Sequence, residues 1–158
     1  MAFDPQLQRR IFGRFATGVT VVTTRIGEVL YGMTANAVTS LSLDPPLVLV
    51  AVDRRAGMHG ALHEGQCFAL NILNDTHEHL SRRFAAKGPK EFGDLTLTTA
   101  VTGAPILGDA LGWVDCRITQ VLPGGDHDIF IGEIVAGGHN EEGQPLLYYG
   151  GQYRKLAD

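Results

Sequence analysis

Small residues, hydroxyl groups and two arginines are concentrated between residues 31 and 55 of this chain. Glycine and alanine present little side chain there, so a planar ring could contact the backbone directly. Arg54 and Arg55 carry forked donors that suit a phosphate, and each charge-assisted hydrogen bond would contribute about 1.5–3 kcal/mol. The other polar groups of the segment belong to Thr34, Asn36, Thr39, Ser40 and Ser42. The composition predicts a site for a flat phosphorylated ligand such as a flavin, although a polar turn with solvated arginines explains it equally well.

A second group of donors lies at residues 81–84, where Ser81 and two arginines precede Phe84. This segment falls at the end of a predicted helix, and cations are favourable near a helix C-terminus, which is the simpler explanation. The functional interpretation is that the arginines close over a phosphate or pyrophosphate. Phe84 would then pack against the ring or the ribityl chain of the ligand.

His127 directly follows a predicted tight turn and begins a predicted strand. Glycine and proline at residues 123–126 are typical of such turns. An imidazole at this place could hydrogen-bond the carboxamide of a nicotinamide or help to stack it over another ring. An ordinary surface histidine on a hairpin is the alternative.

Two pairs of histidines are candidate metal ligands. His59 and His63 are four residues apart on one predicted helix, whereas His77 and His79 are two apart and would not share a helix face. A zinc site needs convergent ligands, and neither a cysteine pair nor a His-Glu-x-x-His motif is present. We therefore expect no metal. No nucleophile elbow, Walker A loop or activated cysteine is found in the sequence either.

Length and composition predict one globular domain, 1–158, with a sizeable core. The chain has 158 residues, 44% hydrophobic residues and a net charge of −4, which disfavours a nucleic-acid partner. The longest apolar run, residues 47–52, is far shorter than the roughly 20 residues that span a bilayer, so no membrane association is expected. No secretory signal is recognised, and Cys67 and Cys116 are expected to be small buried side chains. A cytoplasmic location fits these features.

The predicted elements are mostly strands. A helix begins at Pro5 with Asp4 as its cap, carries Leu7, Ile11 and Phe15, and ends near Gly18. Later helices are capped by Asp53 and by Asn74 or Asp75. The strands are expected near 19–24, 29–34, 47–52, 67–72, 113–122 and 127–135, with 47–52 buried on both faces. Their arrangement in hairpins favours a mainly β (α+β) fold, a closed antiparallel barrel with short peripheral helices, over a Rossmann fold.

Taken together, these segments resemble the short-chain flavin reductases, the reductase components of two-component flavin-dependent monooxygenases. The likeness extends over nearly the whole chain and is specific in its order and spacing. Its motifs are Phe15-Ala-Thr-Gly-Val-Thr-Val-Val-Thr23, Gly32-Met-Thr-Ala-Asn36, Ser42-Leu-Asp-Pro-Pro-Leu-Val48, Arg82-Arg-Phe84, Gly125-Asp-His127, Pro145-Leu-Leu-Tyr-Tyr149 and Tyr153.

The resemblance implies an FMN-binding split-barrel fold, a homodimer with flavin near the subunit interface, and an oxidoreductase activity. NADH or NADPH would reduce FMN or FAD by hydride transfer, and the free reduced flavin would leave for a partner flavin-dependent monooxygenase. A non-catalytic flavin-binding or electron-carrier module of the same fold is the alternative. An enzyme similar to pyridoxamine-phosphate oxidase would need a second phosphate site, for which no separate basic cluster is found.

The resemblance also implies roles for individual residues. Many relatives carry Ser-Phe where this chain has Ala37-Val38, which leaves only backbone contacts at position 37. His127 is expected to position the nicotinamide, and the rest of the nucleotide would be contacted by His127, Tyr148, Gly150 and Arg154. The flavin would be contacted by Met33, Thr34, Ala35, Asn36, Ala37, Thr39, Ser40, Ala51, Val52, Asp53, Arg54, Arg55, Arg83 and Phe84.

Overall fold

The structure, a computed structural model, describes residues 2–157, and this part of the chain is mostly β. Met1 and Asp158, which the predicted domain includes, lie outside the described residues. The helices are α1 (Pro5–Phe12), α2 (Gly57–Gly65) and α3 (Glu78–Ala85). The strands are β1 (Thr17–Gly18), β2 (Thr20–Ile26), β3 (Val29–Ala35), β4 (Val38–Leu43), β5 (Pro46–Asp53), β6 (Cys67–Ile72), β7 (Leu97–Thr98), β8 (Ile106–Leu107), β9 (Gly112–Gly124), β10 (His127–His139), β11 (Leu147–Tyr149) and β12 (Gln152–Arg154).

The largest sheet has seven antiparallel strands in the order β3-β2-β6-β9-β10-β5-β4. The β-branched run that begins β2 favours a strand, and β2 pairs with β3 as the predicted hairpin. β9 and β10 form a second hairpin, in which Gly125 turns the chain at a φ of 67°. Both predicted hairpins are confirmed, together with the mainly antiparallel fold. His127 consequently lies at the tip of the longer hairpin.

A smaller sheet joins the two ends of the chain. β11 pairs with β1 on one side and with β12 on the other, so that Thr17 lies opposite Tyr148. β7 and β8 form a separate two-stranded pair. The smaller sheet brings the tyrosines of the C-terminal segment close to the region that precedes β2.

One hydrophobic core receives side chains from both ends of the seven-stranded sheet. Val22 of β2 and Ala35 of β3 belong to the same buried cluster as Val50 of β5, and Val38 of β4 packs against that cluster. Helix α2 adds Met58, Ala61 and Leu62 to it. The two outer regions of the sheet therefore lie on a common core rather than far apart.

Helix α1 begins as predicted but is shorter. The Asp4 carboxylate accepts a hydrogen bond from the Gln6 N–H at 2.9 Å, and Pro5 is the first helical residue. The helix ends at Phe12, not at Gly18, because residues 17–18 extend to form β1. No residue of α1 is buried: Leu7, Ile11 and Phe12 are exposed, and so is Phe15 beyond its end. An apolar helix face is therefore left without a partner within the described chain.

Three further sequence predictions are corrected. Helix α2 is preceded by Ala56 and not by Asp53, whose carboxylate instead accepts from the Arg55 N–H. Helix α3 is preceded by His77, while Asn74 accepts from the Thr76 N–H in a turn before it. In both cases the side chain of Asp53 or Asn74 binds a backbone N–H two residues later, and this local turn competes with capping of the helix. Strand β5 is buried on one face only, because its residues alternate between buried and half-buried.

The two cysteines are free and buried, as predicted. Burial, with a smaller contribution from the charge of Asp115, raises the pKa of the Cys116 thiol to about 12. The thiolate is the reactive form, so this group is chemically inert near neutrality. Among residues 2–157, no helix combines the length and the hydrophobicity that a membrane crossing requires.

Candidate functional site

An open cavity of about 210 Å³ lies where β3, α3 and the smaller sheet meet. It brings the predicted flavin-binding segment at the end of β3 together with Tyr148, which was predicted to contact the nicotinamide nucleotide. The lining residues are Val19, Thr34, Ala35, Asn36, Ser81, Ala85, Tyr148 and Tyr153. Residues that are more than 100 positions apart in sequence thus share one concave surface.

Three buried or partly buried hydrogen bonds fix the wall of this cavity. The Thr34 hydroxyl donates to the Ser81 carbonyl at 2.6 Å and so ties β3 to α3. The Ser81 and Tyr153 hydroxyls are 2.6 Å apart, which ties α3 to β12. The Thr20 hydroxyl donates to the Ala35 carbonyl at 2.5 Å. Since Thr34 is engaged in this network, it orients the wall, while the exposed amide of Asn36 lies at the rim.

A second surface, the β4–β5 ledge, adjoins the cavity. We define it by Ala37, Thr39, Ser40, Ala51 and Asp53. The Ala51 N–H donates to the Ala37 carbonyl at 3.0 Å, and Thr39 and Ser40 are exposed on the edge strand β4. The small side chains of Ala37 and Ala51 leave backbone accessible to a flat ring.

Two of the predicted flavin contacts point away from this ledge. Val52 is 1% exposed and turns its side chain into the core, so only its backbone could meet a ligand. Met33 is half-buried and packs against the same core. Side chains alternate along a strand, which explains why Ala51 and Asp53 remain available when Val52 does not.

Phe84 was predicted to cover the flavin, and the structure corrects this. Its side chain is 1% exposed, and its ring centroid is 5.2 Å from that of Phe92. A Cβ added to Gly32 would lie 2.7 Å from the Phe84 ring, so the ring fills the space above the strand backbone. Phe84 is therefore a core residue, and the next residue, Ala85, lines the cavity in its place.

Arg54, Arg55 and Arg83, which the resemblance implies as flavin contacts, are all paired with carboxylates. Arg54 donates twice to one oxygen of Asp128, at 3.0 and 3.2 Å, and once to the Gly125 carbonyl. Arg55 donates to Asp53, and this guanidinium lowers the pKa of the Asp53 carboxyl. Solvent screens exposed pairs of this kind, so they contribute little to stability and a phosphate could exchange with the carboxylate.

Arg83 binds the loop that follows α3. Its guanidinium donates to both carboxylate oxygens of Asp94, at 2.8 and 2.9 Å, and to the Glu91 carbonyl. It is not among the residues that line the cavity. The structure therefore does not place Arg83 with the other predicted phosphate ligands, and its main contacts join α3 to the loop that follows it.

His127 lies beside the β4–β5 ledge. It is opposite Asp53 in the register of β10 and β5, and its Nδ1 is 2.8 Å from a carboxylate oxygen of Asp126. The hydrogen bond from His127 lowers the pKa of Asp126, so this carboxylate is ionised and holds a proton on Nδ1. In the neutral imidazole, Nε2 is then an acceptor. No residue in 2–157 hydrogen-bonds that nitrogen, which leaves it for a ligand.

The remaining nucleotide candidates lie in the smaller sheet. Tyr148 lines the cavity, and its ring centroid is 5.4 Å from that of Tyr153. Gly150 is in the turn between β11 and β12, at a φ of 61°, and its N–H donates to the Gly13 carbonyl. Arg154 is exposed on β12 opposite Leu147. Gly150 and Arg154 are thus near this sheet but outside the cavity lining.

Sequence reasoning assigned no role to Tyr153 or Ala85. Tyr153 holds Ser81 in place, and the Arg82 guanidinium lies over its ring at 4.9 Å. The aromatic character of the C-terminal segment was the only available signal. The sequence gave no signal for Ala85, because alanine is common at helix ends and nothing distinguishes this one.

Comparisons with known proteins agree with one another. A family model described as a flavin reductase like domain matches residues 12–157. The chain is 39% identical over 145 residues to the reductase component of a 4-nitrophenol 4-monooxygenase/4-nitrocatechol 2-monooxygenase of Rhodococcus opacus, covering 92% of this chain and 77% of that protein. It is 41% identical over 149 residues to the reductase component of a 4-hydroxyphenylacetate 3-monooxygenase of Thermus thermophilus, covering 94% and 95%.

A solved structure shares the complete fold. It is the Streptomyces globisporus NADH:FAD oxidoreductase SgcE6 in complex with NAD and FAD fragments, and it superposes with a TM-score of 0.91 at 38% identity. The alignment covers 99% of this chain and 97% of that one. Sequence and structure therefore point to the same group of proteins.

Proposed function

The chain belongs to the flavin reductase-like family, and from this premise we propose that it oxidises NADH or NADPH, reduces FMN or FAD, and releases the reduced flavin to a partner flavin-dependent monooxygenase. The whole chain, 1–158, forms the single domain of this proposal. The observation that carries it is the position of His127, which lies opposite Asp53 of the ledge and whose Nε2 has no hydrogen-bond partner among residues 2–157.

The protein's task in such a reaction is alignment. When bound, the flavin and the nicotinamide supply the hydride chemistry themselves. Ala37, Ala51 and Asp53 offer a shallow backbone surface, which fits a flat ring. Productive transfer requires the reacting atoms to approach to about 3–3.5 Å, so a rigid surface and a correctly held nicotinamide are what the chain has to provide. Because the cofactors supply the chemistry, the proposed mechanism needs no acid–base pair from the protein.

His127 holds the nicotinamide in this proposal. Asp126 fixes the proton on Nδ1, and the lone pair of Nε2 accepts a hydrogen bond from the carboxamide N–H of the nucleotide. Asp53 and His127 lie about 5 Å apart across the two strands, and Asp53 is about 7 Å along β5 from Ala51. A ring on the ledge and a carboxamide on His127 can therefore be bound side by side.

A steady-state assay tests the function. NADH and NADPH are each offered with FMN, FAD and riboflavin, and oxidation of the nucleotide is followed; catalytic consumption with excess free flavin is expected. In the His127→Ala variant, the KM for the nucleotide should rise about tenfold, the equivalent of one hydrogen bond of ~1.4 kcal/mol, with little change in the KM for flavin.

The exposed His139, at the far end of β10, provides the control as His139→Ala. Flavin that stays bound at one equivalent through dialysis, with no consumption of NADH or NADPH, would instead support a non-catalytic electron carrier. If His127→Ala weakens flavin binding and leaves the KM for the nucleotide unchanged, the role given to His127 is wrong.

We also propose that the chain forms a homodimer through the apolar face of α1 and the edge of β4. Leu7, Phe12 and Phe15 are exposed, and Leu43 of β4 is 90% exposed. Exposed apolar side chains in such number mark an interface. Sedimentation should give about twice the chain mass of 17.0 kDa, and Phe12→Glu should shift it toward one chain. A wild-type mass of one chain would refute the dimer.

The seven-stranded sheet is proposed to curl into a split barrel. The support is the shared core, in which Val22 and Ala35 from one region of the sheet meet Val50 from the other. An experimental structure with these side chains in separate cores would contradict this closure. A cytoplasmic location completes the proposal, since two free thiols suit a reducing compartment, and cell fractionation would test it.

A further inference from the structure

Two histidines of α2 and one aspartate of β10 converge at the surface. His59 Nε2 is 2.7 Å from Asp128 Oδ2, and His63 Nε2 is 3.8 Å from the same oxygen. One ligand atom from each side chain lies within 4.8 Å of the others. The two imidazole centroids are 4.7 Å apart. The sequence showed only the helical pair, and the fold adds a carboxylate from a residue 65 or more positions away.

The three side chains belong to a helix and a strand that are anchored in the fold. Helix α2 is anchored by the buried Met58, Ala61 and Leu62, and β10 is paired with a strand on each side. Arg54 donates twice to Asp128 Oδ1, which turns the other oxygen, Oδ2, toward the imidazoles. A ligand that is oriented by its own hydrogen bonds is the usual arrangement around a protein-bound metal. The cluster is therefore arranged before any ion arrives.

We propose that His59, His63 and Asp128 form a binding site for a divalent transition-metal ion, of which Zn²⁺ is the best match. Zinc accepts imidazole nitrogen and carboxylate oxygen at about 2.0–2.2 Å, which places tetrahedral ligand atoms roughly 3.3–3.5 Å apart. The observed separations of 2.7 and 3.8 Å lie on either side of that value, so small side-chain rotations suffice. The half-exposed His63 leaves a fourth position to water.

The site does not use His127, the residue that is proposed to hold the nicotinamide. His127 and Asp128 are neighbours on β10, so their side chains point to opposite faces of the strand. An ion at Asp128 would join α2 to the sheet rather than contact the nicotinamide. Its expected consequence is greater resistance to unfolding, because an ion that binds only the folded chain stabilises it by mass action.

The test uses the full chain, free of any histidine tag and treated with a chelator. Titration with ZnCl₂ against a chromophoric zinc indicator should give one ion per chain. At a free concentration 100 times the Kd, the thermal midpoint should rise by about 5–10 °C. His63→Gln should weaken binding at least tenfold and remove most of this rise. His63 makes no hydrogen bond through its side chain with the described residues, so this variant should fold normally.

His139→Gln, which changes an exposed histidine on the same strand, is the matched control and should bind zinc as the wild type does. Asp128→Asn should also weaken binding. Circular dichroism of each variant without metal confirms the fold. Fewer than one ion per chain, or unchanged affinity in His63→Gln, would overturn the proposal. A loss of binding confined to His139→Gln would do so as well.

Discussion

Replacing Phe84 by alanine is expected to lower the free energy of unfolding by about 3–5 kcal/mol. The ring is 1% exposed and lies between Phe92 and the backbone at Gly32, so its removal leaves a cavity that the strand cannot close. Urea unfolding followed by circular dichroism measures the change, with the slope against urea expected to stay constant. The affinity of the folded fraction for riboflavin should be unaltered.

Gly32 supplies an internal check on this result. Gly32→Ala alone brings a methyl group to 2.7 Å from the Phe84 ring and should cost about 1–3 kcal/mol through overpacking. In the double variant the methyl group enters the space that the ring has left. The stability loss of the double variant should therefore be smaller than the sum of the losses of the two single variants. A stability loss below 1 kcal/mol for Phe84→Ala, together with weaker riboflavin binding, would show that Phe84 contacts the ligand.

Filling the cavity from Ala85 should abolish most of the activity. Ala85→Trp places an indole between the rim at Asn36 and the tyrosines of the smaller sheet, where the predicted flavin and nucleotide contacts meet. We expect kcat/KM for flavin or nucleotide to fall at least 100-fold, about 2.7 kcal/mol of lost transition-state binding. The assay described for the His127→Ala variant provides the measurement.

Ala86→Trp is the matched control for this substitution. Ala86 is exposed and directly follows α3, but it does not line the cavity. Exposed substitutions usually change stability by less than about 0.5 kcal/mol, so both variants should keep the thermal midpoint within about 2 °C. Equal activity of the Ala85→Trp variant and the wild type would show that neither substrate enters the cavity.

Local pattern was enough to predict the hairpins. The β-branched start of β2 and the Gly-containing turn before His127 act within a few residues, so their structural effect is visible in a short window. The packing of both outer regions of the sheet on a common core is different, since Val22 and Val50 are brought together by strands that are distant in sequence. The hairpin pattern predicted a closed antiparallel barrel, and the resemblance to a family added the split-barrel type, but neither identified the residues that meet in the core.

The errors at the candidate site have physical causes as well. Phe84 was assigned to the ligand because it follows two arginines, yet it lies four residues after the buried Leu80 and therefore on the same face of α3. Helical spacing could have revealed its burial. The partner of Arg54 could not be predicted in this way, because Asp128 is 74 residues distant. The third ligand of the proposed metal site was missed for the same reason.

In a flavin site that uses Arg54 and Arg55 for the phosphate, Asp128 and Asp53 would occupy the place of the phosphate while the site is empty. An incoming phosphate would compete with Asp128 or Asp53 for the guanidinium, and the carboxylate would bind the guanidinium again when the phosphate departs. The arginines would therefore add little net binding free energy for the phosphate, because one ion pair replaces a similar one. Such an exchange would favour release of the product, since the guanidinium is paired with an anion both before and after the phosphate binds.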